Sequence, residues 1–208
     1  MPSAWTVGSE KTITLTNGQR LTLQIYGINH DDLEGGGKAR FTLGLRNLTS
    51  FVRQMSPGNR TTAGSFLASA MFTWLNTTWW ELLPLDLREH VKLVRKRTSV
   101  GWLQTDPVAG REVIRTDAMR IFLFSQVEVT GAATHSFPGE GEQYPVFAQG
   151  LSPLIKQLNN GAAMTNLWHN RSPGNTLWGA YTNIDRYGNP GELRADTTNG
   201  GINFGICI

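Results

Sequence analysis

Residues 115–150 combine an apolar run, a helix start and an aromatic loop, and this stretch constrains the fold more than any other part of the sequence. From Ile121 to Phe124 every side chain is apolar, which is typical of a strand covered on both faces. The residues from Ser125 to Glu128 then have the spacing of a capping box, in which the serine hydroxyl and the glutamate carboxylate satisfy backbone N–H groups at a helix start. A short helical turn that ends at Gly131 is therefore predicted to follow the strand.

Both ends of the chain have the alternation of β-strands. Residues 11–26 predict a hairpin, because Asn17-Gly18 separates two runs in which apolar residues recur at every second position. Gly201 to Ile208 alternates in the same way, with Ile202, Phe204, Ile206 and Ile208 on one face. The chain is therefore predicted to contain a buried strand here, and Cys207 within it to be an inert structural thiol.

Two amphipathic helices are predicted between these ends. In residues 63–82 the apolar positions fall near the i, i+3, i+4, i+7 spacing of one helical face. A second helix is predicted from Pro84 to about Arg97, and it carries the basic residues Arg88, Lys92, Arg95, Lys96 and Arg97. These cations are interpreted either as a solvated helix end or as a contact with an acidic partner. Residues 101–114 are predicted to form a hairpin.

Length and composition predict one domain over residues 1–208, because no low-complexity segment or charge run divides the 208 residues. The net charge of +3 comes without a clustered basic stripe, so binding to nucleic acid is not expected. No long apolar segment indicates a signal peptide or a membrane-inserted helix. A single cysteine excludes an internal disulfide.

The sequence offers little for catalysis, so no enzyme activity, cofactor or metal is predicted. Its four histidines are scattered, and no Ser-His-Asp or metal-ligand spacing occurs. His30, Asp31, Asp32 and Glu34 lie beside three glycines and suggest a cation site. A polar turn is the favoured alternative, since the calcium-loop register is missing. Glu140 and Glu142 have no sequence partner that indicates acid–base chemistry.

The C-terminal quarter mixes aromatic residues with asparagine and arginine, a composition that is common in binding surfaces. Exposed aromatic rings supply rigid contact area, while asparagine and arginine supply adaptable hydrogen bonds. An alternative remains open, in which Trp168 and Trp178 are core residues and the asparagines form turns. The predicted ligand-binding residues are Trp168, His169, Asn170, Arg171, Tyr181, Asn183, Arg186 and Tyr187.

The motifs T-D-x-x-R-I-F-L-F-S-x-V-E-V-x-G and G-E-G-E-Q-Y-x-x-F resemble those of a family of uncharacterised domains found in bacterial surface proteins, phages and prophages. The opening W-T-V-G and I-N-H-D-D-L, the middle W-L-N…L-L-P-L-D-L and the closing W-H-N-R-S-P-G…G-I-N-F-G-I-C-I follow in the family's order. One departure is His169-Asn170, where the family usually has an aromatic residue and a leucine. The resemblance covers nearly the whole chain.

This resemblance implies an α+β, C-type-lectin-like fold related to sulfatase-modifying factors, with twisted antiparallel strands, two amphipathic helices and long ordered loops. It also implies a non-enzymatic phage or prophage virion protein, such as a tail-fibre tip, that recognises a host cell-surface glycan or protein through its C-terminal part. The alternative is a structural virion component, a capsid or tail decoration that contacts neighbouring subunits. Either role is expected in a homo-oligomer within the virion.

Overall fold

The computed structural model describes residues 5–101, 113–161, 164–197 and 200–208, and most of its regular structure is β-strand. In chain order the strands are β1 (Glu10–Thr14), β2 (Arg20–Ile28), β3 (Phe41–Leu45), β4 (Val94–Ser99), β5 (Ile114–Met119), β6 (Ile121–Leu123), β7 (Lys156–Gln157), β8 (Thr165–Asn166), β9 (Trp168–Pro173), β10 (Ala180–Ile184), β11 (Pro190–Arg194) and β12 (Phe204–Cys207). The helices are α1 (Ala70–Trp74), α2 (Trp80–Leu82), α3 (Leu85–Arg88) and α4 (Gln126–Thr130), with a π-helical turn at Leu75–Trp79 and 3-10 turns at Phe66–Ala68 and Phe147–Gln149.

These strands form several small antiparallel sheets. The largest has the order β1-β2-β3-β12-β6, a second has the order β11-β10-β9, and β4-β5 and β7-β8 are two-stranded. The predicted fold class, an α+β lectin-like fold with two amphipathic helices, is therefore wrong. The described chain is β-rich, and apart from the helical segment Ala70–Leu82 its helices are each a turn or so long.

The prediction of a second amphipathic helix fails because its last part is a strand. Only α3 is helical, and β4 follows it, paired along its length with β5. In β4 the side chains of Val94, Lys96 and Thr98 are buried while Arg95 and Arg97 are exposed, which is the period of two that a strand requires. The basic run conceals this alternation, because a lysine such as Lys96 is usually exposed to solvent. The hairpin predicted over 101–114 lies largely in 102–112, outside the described residues.

The first predicted helix is present from Ala70 to Leu82, but a π-helical turn interrupts it at Leu75–Trp79. Asn76 lies in this turn, and its side-chain amide donates to the Ile121 carbonyl (2.9 Å) and accepts from the Ile121 N–H (3.1 Å). The amide thus pairs with β6 much as a neighbouring strand would. It covers part of one edge of the large sheet.

Three local predictions are confirmed. β1 and β2 form the hairpin around Asn17-Gly18, with Gly18 at a φ of 84° that favours glycine. β12 is buried between β3 and β6, where Ile206 lies opposite both Leu43 and Ile121.

The third is the capping box at the start of α4. The Ser125 hydroxyl accepts from the Glu128 N–H (3.0 Å), the Ser125 N–H donates to the Glu128 carboxylate (2.9 Å), and Gly131 ends the helix in a left-handed conformation. This box holds Glu128 in the interior, where it becomes part of a charged cluster.

One cluster of buried apolar residues joins all the larger sheets. Its aromatic centre includes Tyr26, whose ring centroid lies 5.0 Å from that of Phe124 and 4.9 Å from that of Phe147, and Phe147 in turn stacks on Trp168 at 6.2 Å. Among the described residues, no helix is long and apolar enough to cross a membrane.

Candidate functional site

Four ionised side chains meet in the interior, and we call Asp31, Lys96, Glu128 and Arg171 the buried ion network. Lys96 donates to the Asp31 carboxylate (2.6 Å) and lies 2.5 Å from a carboxylate oxygen of Glu128. Arg171 binds both carboxylate oxygens of Glu128, one of them at 2.9 Å. The four residues come from the loop after β2, from β4, from α4 and from β9, so the network ties distant parts of the chain together.

The network keeps its members charged despite their burial. Burial lowers the pKa of Lys96, but the carboxylates of Asp31 and Glu128 outweigh it and the pKa is raised. Burial raises the pKa of Glu128, but Arg171 and Lys96 outweigh it and the pKa is lowered. Burial also raises the pKa of Asp31, but Lys96 and the hydrogen bonds from Thr42 and Tyr144 outweigh it and the pKa is lowered. Two cations thus offset two carboxylates inside the protein.

The remaining hydrogen-bonding capacity of the network is also used internally. The Tyr144 hydroxyl lies 2.8 Å from Asp31, and Thr42 donates to the same carboxylate. Arg171 donates to the Thr98 hydroxyl (2.9 Å) and to the Leu123 carbonyl (2.8 Å). A buried charge cluster that is balanced and hydrogen-bonded within the protein stabilises a specific packing, but it offers no open position to a substrate.

Cys207 lies at the edge of the network, with its sulfur 3.5 Å from an Asp31 carboxylate oxygen. Burial, reinforced by the negative charge of Asp31, raises the pKa of this thiol well above its usual value. A thiol that stays protonated is a poor nucleophile. The prediction of a buried Cys207 is confirmed by its complete burial.

Glu140 is buried beside the network but has no cationic partner at ion-pair distance among the described residues. One carboxylate oxygen accepts from the Ser99 N–H (2.8 Å), whereas the other has no hydrogen-bond partner among the described residues. Burial raises the pKa of Glu140 to about 7, although the nearby Ser172 hydroxyl and the Ser99 N–H oppose the shift. Glu142 is exposed, so the two glutamates do not form a carboxylate pair.

The loop of His30, Asp31, Asp32 and Glu34 does not gather its acidic groups around one point. Asp31 points into the network, while Asp32 pairs with Lys38 (2.8 Å) and Glu34 with Arg95 (2.9 Å) at the surface. Within the described ranges, no group of three His, Cys, Asp or Glu residues is arranged to hold a metal ion.

Most of the residues predicted to bind ligand are buried, in β9 and β10. Trp168 donates from its indole N–H to the Leu154 carbonyl (2.9 Å), and the Tyr181 hydroxyl donates to the Ser65 carbonyl (3.1 Å). His169 lies 2.9 Å from the Arg53 carbonyl, and burial lowers its pKa to about 4. The buried members of the predicted set are Trp168, His169, Asn170, Arg171, Tyr181 and Asn183.

Only the turn between β10 and β11 brings predicted site residues together at the surface. Arg186 is exposed, and its guanidinium lies 5.3 Å from the ring centroid of Tyr187, which is 64% exposed. Of the two tryptophans that the alternative interpretation places in the core, Trp168 is buried, whereas Trp178 is 36% exposed. The structure thus leaves two of the eight predicted residues able to contact a ligand.

A groove that the sequence did not indicate lies between α3 and the face of the β1-β2-β3 part of the large sheet. We call it the β1–α3 groove, and its volume is about 590 Å³. Its apolar lining is Ile13, Leu23, Ile25, Phe41, Leu43, Pro84, Leu87 and Ile208. Polar and aromatic groups also line it: Trp5, which is 52% exposed, together with Lys11, Asp86 and His90. A groove of this size and lining resembles the pockets that bind small molecules or side chains of a partner.

A second depression of about 600 Å³ is more polar. It is lined by Arg46, Asn47, Ser152, Ile155, Gln157 and Thr165. Its lining offers less apolar surface for a ligand to bury, so we regard the β1–α3 groove as the better candidate.

Comparison with known proteins identifies one family. A family model described as a domain of unknown function, DUF6273, matches residues 45–202. No curated protein and no solved structure matches the chain. The matched region contains Lys96, Glu128 and Arg171, whereas β1, β2 and most of β3, which form the floor of the groove, precede it.

Proposed function

We propose that this chain, which belongs to the family of DUF6273 domains, is a non-enzymatic recognition module that binds its ligand in the β1–α3 groove. The observation that supports this proposal is the contrast between the buried ion network and the β1–α3 groove. The ionised groups of the network are enclosed and paired with one another, whereas the open groove has partly exposed apolar side chains, among them Ile13, Leu43 and Leu87.

The groove combines apolar area with a few polar groups, as binding sites commonly do. Apolar surface that a ligand removes from water stabilises the complex by roughly 25 cal/mol per Å². Lys11, Asp86 and His90 can fix the orientation of a ligand through hydrogen bonds or charge. Of these three, His90 has a ring nitrogen 2.7 Å from the Asp86 carbonyl, which restrains the ring.

We further propose that the ligand is a glycan or protein of a bacterial host surface and that the domain is carried by a phage particle as a homo-oligomer. This finer proposal is supported by the resemblance of the sequence motifs to domains of phages and bacterial surface proteins. The exposed pair Arg186 and Tyr187 is the part of the predicted C-terminal surface that can contribute to such a contact.

Binding of the isolated domain to intact bacterial cells tests the proposal. The native domain, labelled with a fluorophore, is expected to bind cells of a susceptible species saturably. The double variant Trp5→Ala, Lys11→Glu should bind about tenfold more weakly or worse, because it removes apolar contact area and reverses a charge at the groove.

The matched control is Leu151→Ala, which truncates an exposed apolar side chain outside the groove and should bind cells like the native domain. The double variant Arg186→Ala, Tyr187→Ala tests the other exposed surface: if it loses binding while the groove variant binds as well as the native domain, the ligand site is the β10–β11 turn and not the groove. If no species binds the native domain but assembled particles do, a structural decoration role replaces recognition.

A further inference from the structure

We propose that the ligand of the β1–α3 groove is an extended peptide segment of a partner protein, which joins the large sheet as an added strand beside β1. This inference rests on the proposed function and specifies the chemical class of the ligand. It follows from the state of the two edges of the sheet, from the direction of the β1 backbone groups and from the position of the groove.

The two edges of the five-stranded sheet differ. At the β6 edge, the Asn76 amide satisfies both the N–H and the C=O of Ile121. At the β1 edge, no backbone hydrogen bond among the described residues reaches β1 from its outer side. Unpaired strand edges are templates for pairing with another chain, and proteins usually cover them.

The hydrogen bonds that flank β1 show which of its backbone groups point outward. The Ser9 carbonyl accepts from the Ile25 N–H (2.9 Å), and the Leu15 N–H donates to the Gln19 carbonyl (2.8 Å), so odd-numbered residues face β2. In an antiparallel pair, inward and outward groups alternate along the strand. The N–H and C=O groups of Glu10, Thr12 and Thr14 therefore point away from the sheet.

The next outward group in the same row already has a main-chain partner. The Thr16 N–H donates to the Leu82 carbonyl (2.9 Å), at the end of the helical segment that leads into α3. An added strand would continue this row past Thr14, Thr12 and Glu10. The fold thus already directs the N–H and C=O groups of Glu10, Thr12 and Thr14 outward in the absence of a ligand.

The position of the groove supplies specificity for such a strand. Successive side chains of a strand point to opposite faces of a sheet, so every second side chain of the added strand lies on the face of Lys11 and Ile13, where the groove opens. The apolar lining favours an apolar side chain there. Lys11 has no carboxylate at ion-pair distance among the described residues, and it favours an acidic side chain nearby.

The size of the edge favours a peptide over a second copy of the chain. Five strand residues span about 17 Å. A stable interface between two folded copies buries roughly 1,200–2,000 Å² in total, which a short edge with polar, exposed side chains does not supply. A peptide needs less area, because it adds backbone hydrogen bonds along its length and places side chains in the groove.

Selection from a displayed library of random twelve-residue peptides tests the inference on the native domain. We expect enrichment of sequences with apolar residues at alternate positions and an acidic residue beside them. The best peptide is then synthesised and its Kd measured for the native domain, for Thr12→Pro and for Thr12→Val. Thr12→Pro removes an outward N–H that the β1–β2 ladder does not use, whereas Thr12→Val keeps it.

The expected result is a loss of about tenfold or more in affinity for Thr12→Pro and less than about twofold for Thr12→Val. A second measurement leaves the protein unchanged and uses two modified peptides, one N-methylated at its odd-numbered amides and one at its even-numbered amides. The peptide whose methyl groups block the amides that face β1 should bind about tenfold more weakly than the other. Failure to enrich any peptide, or equal binding by both methylated registers and the parent peptide, overturns the inference.

These outcomes are distinguishable from a failure of the proposed function. If the Trp5→Ala, Lys11→Glu variant loses binding to cells but the native domain enriches no peptide, the groove binds a ligand that is not a peptide, and recognition stands. If peptides bind in the groove while cells are not bound, the peptide inference stands and host recognition fails.

Discussion

The buried ion network and the β1–α3 groove use charged and apolar residues in opposite ways. In the network, the charged groups are enclosed and pair with one another, so their interactions hold the packed elements in one arrangement. In the groove, apolar groups remain at the surface, where a ligand can still cover them. The residues with the most perturbed protonation are thus not the residues that are most available for binding.

The family match divides the molecule along the same line. Three members of the network lie within the matched residues 45–202, while the strands that form the groove floor largely precede them. The following substitutions test whether the network is structural and the groove is not.

The largest effect is expected from Arg171→Met. This change removes one of the two cationic partners of Glu128 and leaves two buried carboxylates with Lys96 alone, so the free energy of unfolding should fall by about 3–5 kcal/mol in urea titrations. Arg186→Met is the control, since replacing this exposed side chain should change the free energy of unfolding by less than about 0.5 kcal/mol. A loss below about 1 kcal/mol for Arg171→Met would show that the network is not structural.

A second effect depends on pH and concerns Glu140. Its pKa is raised from 4.5 to about 7, so the folded protein holds a proton that the unfolded chain has released between these pH values. The stabilisation is complete below pH 4.5 and is lost as the pH rises to about 7, and it amounts to about 3 kcal/mol at most.

Glu140→Gln lacks this contribution, so its free energy of unfolding should not fall with it. The difference in unfolding free energy between the variant and the native protein should therefore shift in favour of the variant between pH 4.5 and about 7. Urea titrations of both proteins at several pH values measure the difference, in which the opposite contribution of His169 cancels. Glu142→Gln, at an exposed position, should track the native protein. A difference independent of pH would mean that Glu140 titrates normally.

A smaller effect is expected from Ser125→Ala. The hydroxyl accepts from the Glu128 N–H (3.0 Å) and donates to the Glu140 carbonyl (2.8 Å), so its loss should cost about 1–2 kcal/mol of unfolding free energy. Ser152→Ala, at an exposed serine, provides the baseline. Equal melting temperatures of the two variants would contradict a role for the capping box in holding Glu128.

The smallest effect is expected in the groove. Trp5→Ala removes a large side chain that is half exposed, and it should change the free energy of unfolding by less than about 0.5 kcal/mol. Trp79→Ala, which truncates a fully buried tryptophan, should cost about 3–5 kcal/mol in the same assay. If Trp5→Ala destabilises the protein as strongly, the groove is part of the core and is closed to ligands.

Local elements could be predicted from the sequence because their signals are local. Asn17-Gly18 encodes its turn through backbone conformations that few other residue pairs adopt, and Ser125 with Glu128 encodes a helix start through two reciprocal hydrogen bonds. The strand at β12 was predictable because its alternation is uninterrupted. None of these depends on a distant part of the chain.

The fold class and the candidate site could not be predicted, because both depend on contacts between distant segments. Lys96 is buried only because Asp31 and Glu128 reach it from other elements, so a strand residue looked like the solvated end of a helix. Trp168 and Tyr181 suggested a binding surface by composition, but their polar atoms bond inward to carbonyls. The groove is lined by residues of both α3 and β1, and no local sequence pattern predicts that these two elements lie close together.

The position of β12 between β3 and β6 in the large sheet also has a consequence for synthesis. Its neighbour β3 is made long before it, since 158 residues separate Leu45 from Asn203, whose side chain accepts the Leu45 N–H. At ribosomal rates this interval lasts roughly 8–30 s. Throughout it, the β1-β2-β3 unit has no strand paired to the β3 edge, so chaperone dependence and aggregation during translation should respond to substitutions in β3 more than the finished protein's stability does.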